Sequence, residues 1–241
     1  MCHKIKEGAV FISDAHDNSQ QDGFYRFLMK IESKQIEATQ LFLMGDMFDL
    51  LVGEVAYLKE IYKKEITLLE KIAQSIEVFY FEGNHDFSLK KIFKNIKIID
   101  IDAQPTIFEV SNKKILLLHG DKYGGFKHKL FTHVIRSSFL LGVLNFFDKL
   151  CYFCISKKIL DGLKRKDICA KIDNFKDMIE LKLLRYPTSN IDIVAEGHYH
   201  QDVTFDIDYI KYINFSSFAC NQSYFIVQLS PDIKFIPIHL S

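Results

Sequence analysis

The chain has 241 residues, 48% hydrophobic and 26% charged, the balance of an ordinary globular protein with room for one domain and a substantial insertion. Its 31 basic and 31 acidic residues cancel, which excludes a chain that binds polyanions through overall charge. Only 4 Pro and 11 Gly argue against long disordered linkers.

The polar stretch Met1 to Gly8 has no apolar core of signal-peptide length, so no export signal is expected. Ala9 to Ser13 then reads as a buried strand. Helical spacing runs from Gly23 to about Glu37, with Phe24, Phe27, Leu28 and Ile31 on one face. Gln40 to Met44 is a second strand. Gly53 to Ser75 is helical in period, with Ile61, Leu68 and Ile72 as core positions, and Glu77 to Glu82 is a third strand. Further strands are expected at Ile96–Asp100, Thr106–Val110 and Lys114–Leu118. A helical stretch follows from about Gly125 to Leu184, then a strand at Ile191–Ala195. Tyr209–Phe215, Tyr224–Leu229 and Ile233–Ile238 close a second sheet. The order is α/β first, a helical insert, then mostly β, which two sheets packed face to face with helices outside would satisfy. The whole chain, 1–241, is read as one domain with an insertion at 122–186. Five cysteines show no framework spacing. Cys151 and Cys154, set among apolar neighbours, read as buried free thiols in a reducing cytoplasm.

Five short pieces carry the chemistry: Asp14-Ala15-His16, Gly45-Asp46-Met47-Phe48-Asp49, Gly83-Asn84-His85-Asp86, His119-Gly120-Asp121 and Gly197-His198-Tyr199-His200. Nearly all follow an apolar run that ends in a turn, so a sheet can aim their side chains at one point. Asp14 and His16, two apart on an extended backbone, project the same way and can share an ion. Carboxylate, imidazole and amide oxygen together suit Mn, Fe, Zn, Ni or Co. If Asp46 bridges, two positions of about four ligands each assemble, a pair suited to in-line displacement at phosphorus. Five of the nine histidines lie in these pieces. A lone Asp-x-His or Gly-His-x-His would mean little, and the inference rests on the conjunction. His3 and His239 read as exposed, and His128 and His133 as ordinary helix residues. Asp17, Asp49 and Asp121 are candidates to orient the ligating imidazoles.

This order of motifs resembles the calcineurin-like metallophosphoesterase superfamily, from Asp14 to His200. The resemblance implies a four-layer α/β/β/α sandwich with a dinuclear centre. It implies Asp14, His16, Asp46 and His200 around one divalent ion and Asp46, Asn84, His119 and His198 around a second, with Mn2+ the expected metal. It also implies that His85 meets the developing charge or protonates the leaving oxygen, and that Asp86 orients it. Every ligand position is filled, which argues against a module that kept the fold and lost the centre.

The insert bears on the substrate. Between Lys122 and Asp167 it has ten Lys or Arg against three acids, and Ser137 to Ser156 is strongly apolar. A basic, aromatic-rich cap suits an amphiphilic anionic substrate at a membrane surface. The apolar residues could equally form the cap's own core. Asp148 and Lys149 interrupt the run, so it is no transmembrane span. Long aliphatics interleave the basic residues, so no nucleic acid is expected. Within the superfamily the chain looks most like the UDP-2,3-diacylglucosamine pyrophosphatases of lipid A biosynthesis, through Gly45 to Leu50, Glu82 to Phe87, His119 to Asp121 and the position of the insert. That resemblance implies cleavage of the pyrophosphate to UMP and 2,3-diacylglucosamine 1-phosphate by a cytoplasmic protein with peripheral contact at the inner membrane. His85 stands where the best-known branch has Arg, which keeps open a phosphodiesterase or nucleotide phosphatase acting on a soluble substrate.

Overall fold

A computed structural model describes residues 3–18, 22–122, 136–164 and 167–240. His128 and His133 lie outside the described residues. Fourteen strands are named in chain order: β1 (His3–Lys4), β2 (Val10–Ile12), β3 (Gln40–Leu43), β4 (Leu51–Val52), β5 (Glu77–Phe81), β6 (Asp86–Phe87), β7 (Lys97–Ile99), β8 (Thr106–Val110), β9 (Lys113–Leu118), β10 (Ile193–Glu196), β11 (Val203–Ile207), β12 (Ile210–Asn214), β13 (Ser223–Gln228) and β14 (Lys234–His239). The helices are α1 (Gly23–Glu32), α2 (Ala56–Ile61), α3 (Lys63–Ile72), α4 (Ser138–Leu150), α5 (Cys154–Leu163), α6 (Phe175–Leu183) and the short α7 (Phe218–Asn221).

The strands form two six-stranded sheets in the orders β14-β13-β2-β3-β5-β7 and β1-β8-β9-β10-β12-β11, with β4 and β6 as a small parallel pair. In the first sheet β2, β3, β5 and β7 are parallel. In the second, β9, β10 and β12 are parallel. Alternation along buried strands builds three layers of core. Phe11, Phe42 and Phe79 point between the sheets with Phe108 and Phe215. Their neighbours Val10, Leu41, Leu43, Val78 and Tyr80 point outward to the side chains of α1 and α3. Ile115 and Leu117 face the inter-sheet core, whereas Leu116, Leu118 and Val194 pack on Phe175, Ile179 and Leu183 of α6. Helices therefore cover both outer faces, and the fold is the expected α/β/β/α sandwich.

Several local expectations need correction. The helical period from Gly53 to Ser75 divides at Tyr62 into α2 and α3, and Ile61 is exposed. Tyr62 takes the core position instead, against Phe48 at 4.6 Å. His3 is half-buried on β1, with its ring 5.2 Å from that of Phe79. His239 is exposed as expected. The thiol reading of the cysteines fails: Cys151 pairs with Cys154 and Cys169 with Cys220 in disulfides. Tyr152 and Phe153 both take positive φ, which turns the chain and brings the Cα atoms of Cys151 and Cys154 within 5.5 Å. Of the apolar neighbours that suggested burial, Leu150 and Tyr152 face outward while Phe153 is half-buried against Tyr57, and Cys154 is exposed.

Between β9 and β10 the described chain is helical, in three separate helices. Asp148, which interrupts the apolar run, is buried and caps the next helix. Its carboxylate accepts the N–H groups of Ile155 and Ser156 and the Ser156 hydroxyl, as a capping carboxylate at a positive helix end should. Phe139 and Tyr152 are more than 80% exposed, and Phe146, Phe147 and Leu150 more than 50%. From α4 and α5, Leu141 and Leu160 are buried in the core. No single helix among the described residues is long and apolar enough to cross a membrane.

Candidate metal centre

Parallel strands from both sheets end on one rim, and each motif sits just past such an end. Asp14 and His16 follow β2, Asp46 follows β3, and Asn84 and His85 follow β5. From the second sheet, His119 follows β9, and His198 and His200 follow β10. The turns are unusual. Asp14, His16, Asp46, His198 and His200 all take positive φ, between 44° and 64°, a region uncommon for residues other than glycine. Two glycines make the close approach possible. Gly45 has φ +94° and lies against the His119 imidazole, which an added Cβ would strike. A Cβ on Gly83 would strike the Asp46 carboxylate.

The seven residues converge. Donor atoms of Asp14, His16 and His200 lie within 4.8 Å of one another, and so do those of Asp46, His119 and His198. His200 Nε2 is 3.0 Å from Asp14 Oδ1. His119 Nε2 is 3.4 Å from both Asp46 Oδ2 and Asn84 Oδ1. The rings of His16 and His200 are 5.4 Å apart, and those of His119 and His198 are 5.1 Å apart.

The donor set fits divalent ions on its own terms. His119 Nδ1–H donates to the Met44 carbonyl at 2.9 Å, and His200 Nδ1–H to that of Ile168 at 2.5 Å. Both imidazoles are thereby fixed as tautomers with Nε2 turned to the centre, the arrangement ligating histidines adopt. His16 Nε2 is buried with no hydrogen-bond partner among the described residues. Burial works against a charged His119, yet the Asp46 carboxylate lifts its imidazole well above the ordinary range. Burial also opposes the charge of Asp14, but the neighbouring His200 pulls its carboxyl down to about 2. Burial drives His16 down to about 4, and burial with the nearby His119 drives His198 to about 3. These two stay neutral, the form that binds a metal.

His85 N–H donates to Asp46 Oδ1 at 2.8 Å, and its ring Nδ1 lies 2.6 Å from the Asp49 carbonyl oxygen. The His85 ring is 5.0 Å from that of His16. Asp86 does not orient it. The Asp86 carboxylate accepts the N–H groups of Asp46, Met47 and Gly83 and the Tyr80 hydroxyl, at 2.6 to 3.0 Å. It anchors the turns of two motifs to each other. The three carboxylates expected to orient imidazoles also act differently, and at His85, His119 and His200 a backbone carbonyl meets Nδ1 instead. Asp49 Oδ1 stands 3.8 Å from His16 Nδ1, beyond hydrogen-bond reach. Asp121 faces Arg136 at 3.7 Å. Asp17 is buried, and one of its oxygens has no partner among the described residues.

Sequence reasoning missed Arg136, Lys182 and Glu196. Arg136 donates to the Gly83 carbonyl at 2.7 Å and faces Glu82 at 3.3 Å. Lys182 on α6 donates to the Gly120 carbonyl at 2.7 Å. Glu196 is fully buried. A charged residue closing the apolar run Ile193-Val194-Ala195 was the available signal for Glu196. For Arg136, one of ten cations between Lys122 and Asp167, and for Lys182, on a helix of mixed charge, spacing offers none.

Comparison with known proteins agrees with the geometry. The family model for calcineurin-like phosphoesterases matches residues 9–202, which contain all five motifs. A protein of Coxiella burnetii (strain RSA 331 / Henzerling II) named UDP-2,3-diacylglucosamine hydrolase is 22% identical over 82% of this chain and 82% of its own. One of the same name from Vibrio atlanticus (strain LGP32) is 24% identical over 79% of this chain and 80% of its own. A solved archaeal phosphodiesterase aligns over 96% of this chain and 99% of its own, at 12% identity and a TM-score of 0.47, a likeness too loose to bear on function. With a family match that spans most of the chain and five motifs gathered at one sheet rim, the chain belongs to the calcineurin-like phosphoesterases and is a metal-dependent phosphoester hydrolase.

Proposed function

We propose that the protein hydrolyses the pyrophosphate of UDP-2,3-diacylglucosamine to UMP and 2,3-diacylglucosamine 1-phosphate, with two Mn2+ ions, at the cytoplasmic face of the inner membrane. In this reading Asp14, His16, Asp46 and His200 hold one ion, and Asp46, Asn84, His119 and His198 the other. Bound there, the ions would supply a nucleophilic water at neutral pH and neutralise the phosphoryl oxygens. The chain's own residues do the rest. His85 donates Nδ1–H to the Asp49 carbonyl, which leaves Nε2 to carry a proton to the leaving oxygen. Asp86 ties the Asp46 and Gly83 turns together, so the bridging carboxylate and the acid keep one geometry.

The observation that carries the substrate choice is the face of α4 and α5. It exposes Phe139, Phe146, Phe147, Leu150 and Tyr152 alongside the exposed Lys149, Lys157 and Lys158. Such a face suits acyl chains beside anionic headgroups. The names of the relatives point to the same substrate.

The test is release of UMP from the diacylated UDP-sugar in detergent micelles with Mn2+, beside a panel of cyclic and linear nucleotides. Fast turnover of the lipid substrate supports the proposal. An intact lipid substrate with fast turnover of a water-soluble ester supports a soluble phosphodiesterase, the alternative that His85 favours.

A further inference from the structure

A single buried ammonium joins the two imidazole turns that come from the second sheet. Lys182 Nζ donates to the Gly120 carbonyl at 2.7 Å and to both oxygens of Glu196 at 3.1 Å. These three bonds use all of its hydrogens. It also lies 4.4 Å above the Tyr199 ring. Glu196 accepts two more hydrogen bonds, from the Tyr186 and Tyr212 hydroxyls at 2.6 Å each. Gly120 directly follows His119. Glu196 stands two residues before His198, and Tyr199 one after it.

A buried ion pair of this kind contributes little net stability, because desolvation offsets its attraction. Its geometry offers a better reason for it. Gly120 has φ +130°, and a Cβ there would meet His198 Cβ at 3.1 Å and Glu196 Oε2 at 3.3 Å. The two turns therefore lie in contact, and the ammonium bonds to both. The other imidazoles have different supports. His200 is held by the Ile168 carbonyl, and the His16 N–H donates to the Asp46 carbonyl.

We propose that Lys182 and Glu196 are a positioning pair that sets the spacing of His119 and His198, and through it the affinity of the ion position they share far more than that of the other, which His198 meets only through its backbone N–H on the Asp14 carboxylate at 3.0 Å. The proposal rests on the ligand assignment given under Proposed function. The pair touches no substrate. It makes the last helix before β10 part of the metal centre rather than only a cover for the sheet.

The test titrates Mn2+ into chelator-stripped protein by equilibrium dialysis, for the wild type, Lys182→Met and the double variant Lys182→Met/Glu196→Gln. The double variant keeps an acceptor oxygen for one tyrosine hydroxyl and turns an amide N–H to the other, which a hydroxyl can accept, and it leaves no lone buried charge. It should melt cooperatively in chelator, bind one Mn2+ as the wild type does, and bind the second ~10–100-fold more weakly, the usual effect of removing a residue that orients a ligand. Two ions bound with wild-type affinity, or both weakened alike in a folded protein, would overturn the pair's role. Loss of the cooperative melt in the double variant would also overturn it, by making the pair a requirement of the fold. A wild type that binds fewer than two ions would instead bring down the ligand assignment itself, and the proposal with it.

Discussion

Gly83→Ala tests whether the centre depends on close backbone approach. The added Cβ would lie 2.8 Å from the Asp46 amide nitrogen and 2.9 Å from its Cγ, and would overlap the carboxylate oxygen. Real Cβ contacts stay beyond 3.0 Å. Asp46 cannot move away freely, because its own N–H is held by Asp86 and its Oδ1 accepts the His85 N–H. Relief then requires a shift on the order of 1 Å in the Asp46 carboxylate, enough to cost about 10²-fold in rate. The steric cost to stability should be about 1–3 kcal/mol. The assay is hydrolysis of a generic phosphodiester with saturating Mn2+, alongside thermal melting. Gly142→Ala is the control, since nothing lies within 4 Å of a Cβ there and alanine in mid-helix is favoured by about 0.5–1 kcal/mol. A Gly83→Ala enzyme with wild-type kcat would refute the argument that backbone crowding fixes Asp46.

Other perturbations separate chemistry from architecture. His85→Ala should lower kcat by about 10²–10⁴-fold with metal content unchanged by mass spectrometry; loss of the metals would show His85 to be a ligand instead. Phe42→Ala should destabilise the fold by about 3–5 kcal/mol in urea melts, since Phe42 is fully buried and stacks on Phe11 at 4.2 Å and Phe79 at 4.8 Å. A change below about 1 kcal/mol would mean the inter-sheet core is not packed as described. Burial, with Glu65 adding to it, pushes the Asp17 carboxyl up to about 8. The unfolded value is about 3.9, so the folded chain holds an extra proton between the two. Its contribution to stability is full below about pH 4 and is lost as pH rises toward 8. In metal-stripped protein the melting midpoint should fall over that window, with a smaller fall in Asp17→Asn; equal slopes would refute the burial argument.

The sheet strands were legible because apolar runs of four to six residues bounded by turns have few other readings. β8 was placed residue for residue. β11 was missed because Val203-Thr204-Phe205-Asp206-Ile207 is only half-buried at an edge, and its alternation was lost beside the stronger runs. The cluster was legible because carboxylates and imidazoles in such motifs seldom gather by chance. What supports them was not. The groups that fix His119 and His200 are carbonyls of Met44 and Ile168, and a backbone carbonyl has no letter in a sequence. Asp86 lies beside His85 in the chain, which suggested partnership. The turn sends its carboxylate back to the amides of Asp46, Met47 and Gly83. The exposed face of α4 was ambiguous in sequence for a plain reason: an apolar stripe says that something must cover it, not what.

The central claim is that these seven side chains hold two ions with Asp46 between them. An anomalous-scattering map from crystals grown with Mn2+ tests it most directly. The account predicts two peaks about 3.5–4 Å apart, one beside Asp14, His16 and His200, one beside Asn84, His119 and His198, and Asp46 touching both. A single peak, or a pair that leaves Asp46 free, would contradict it.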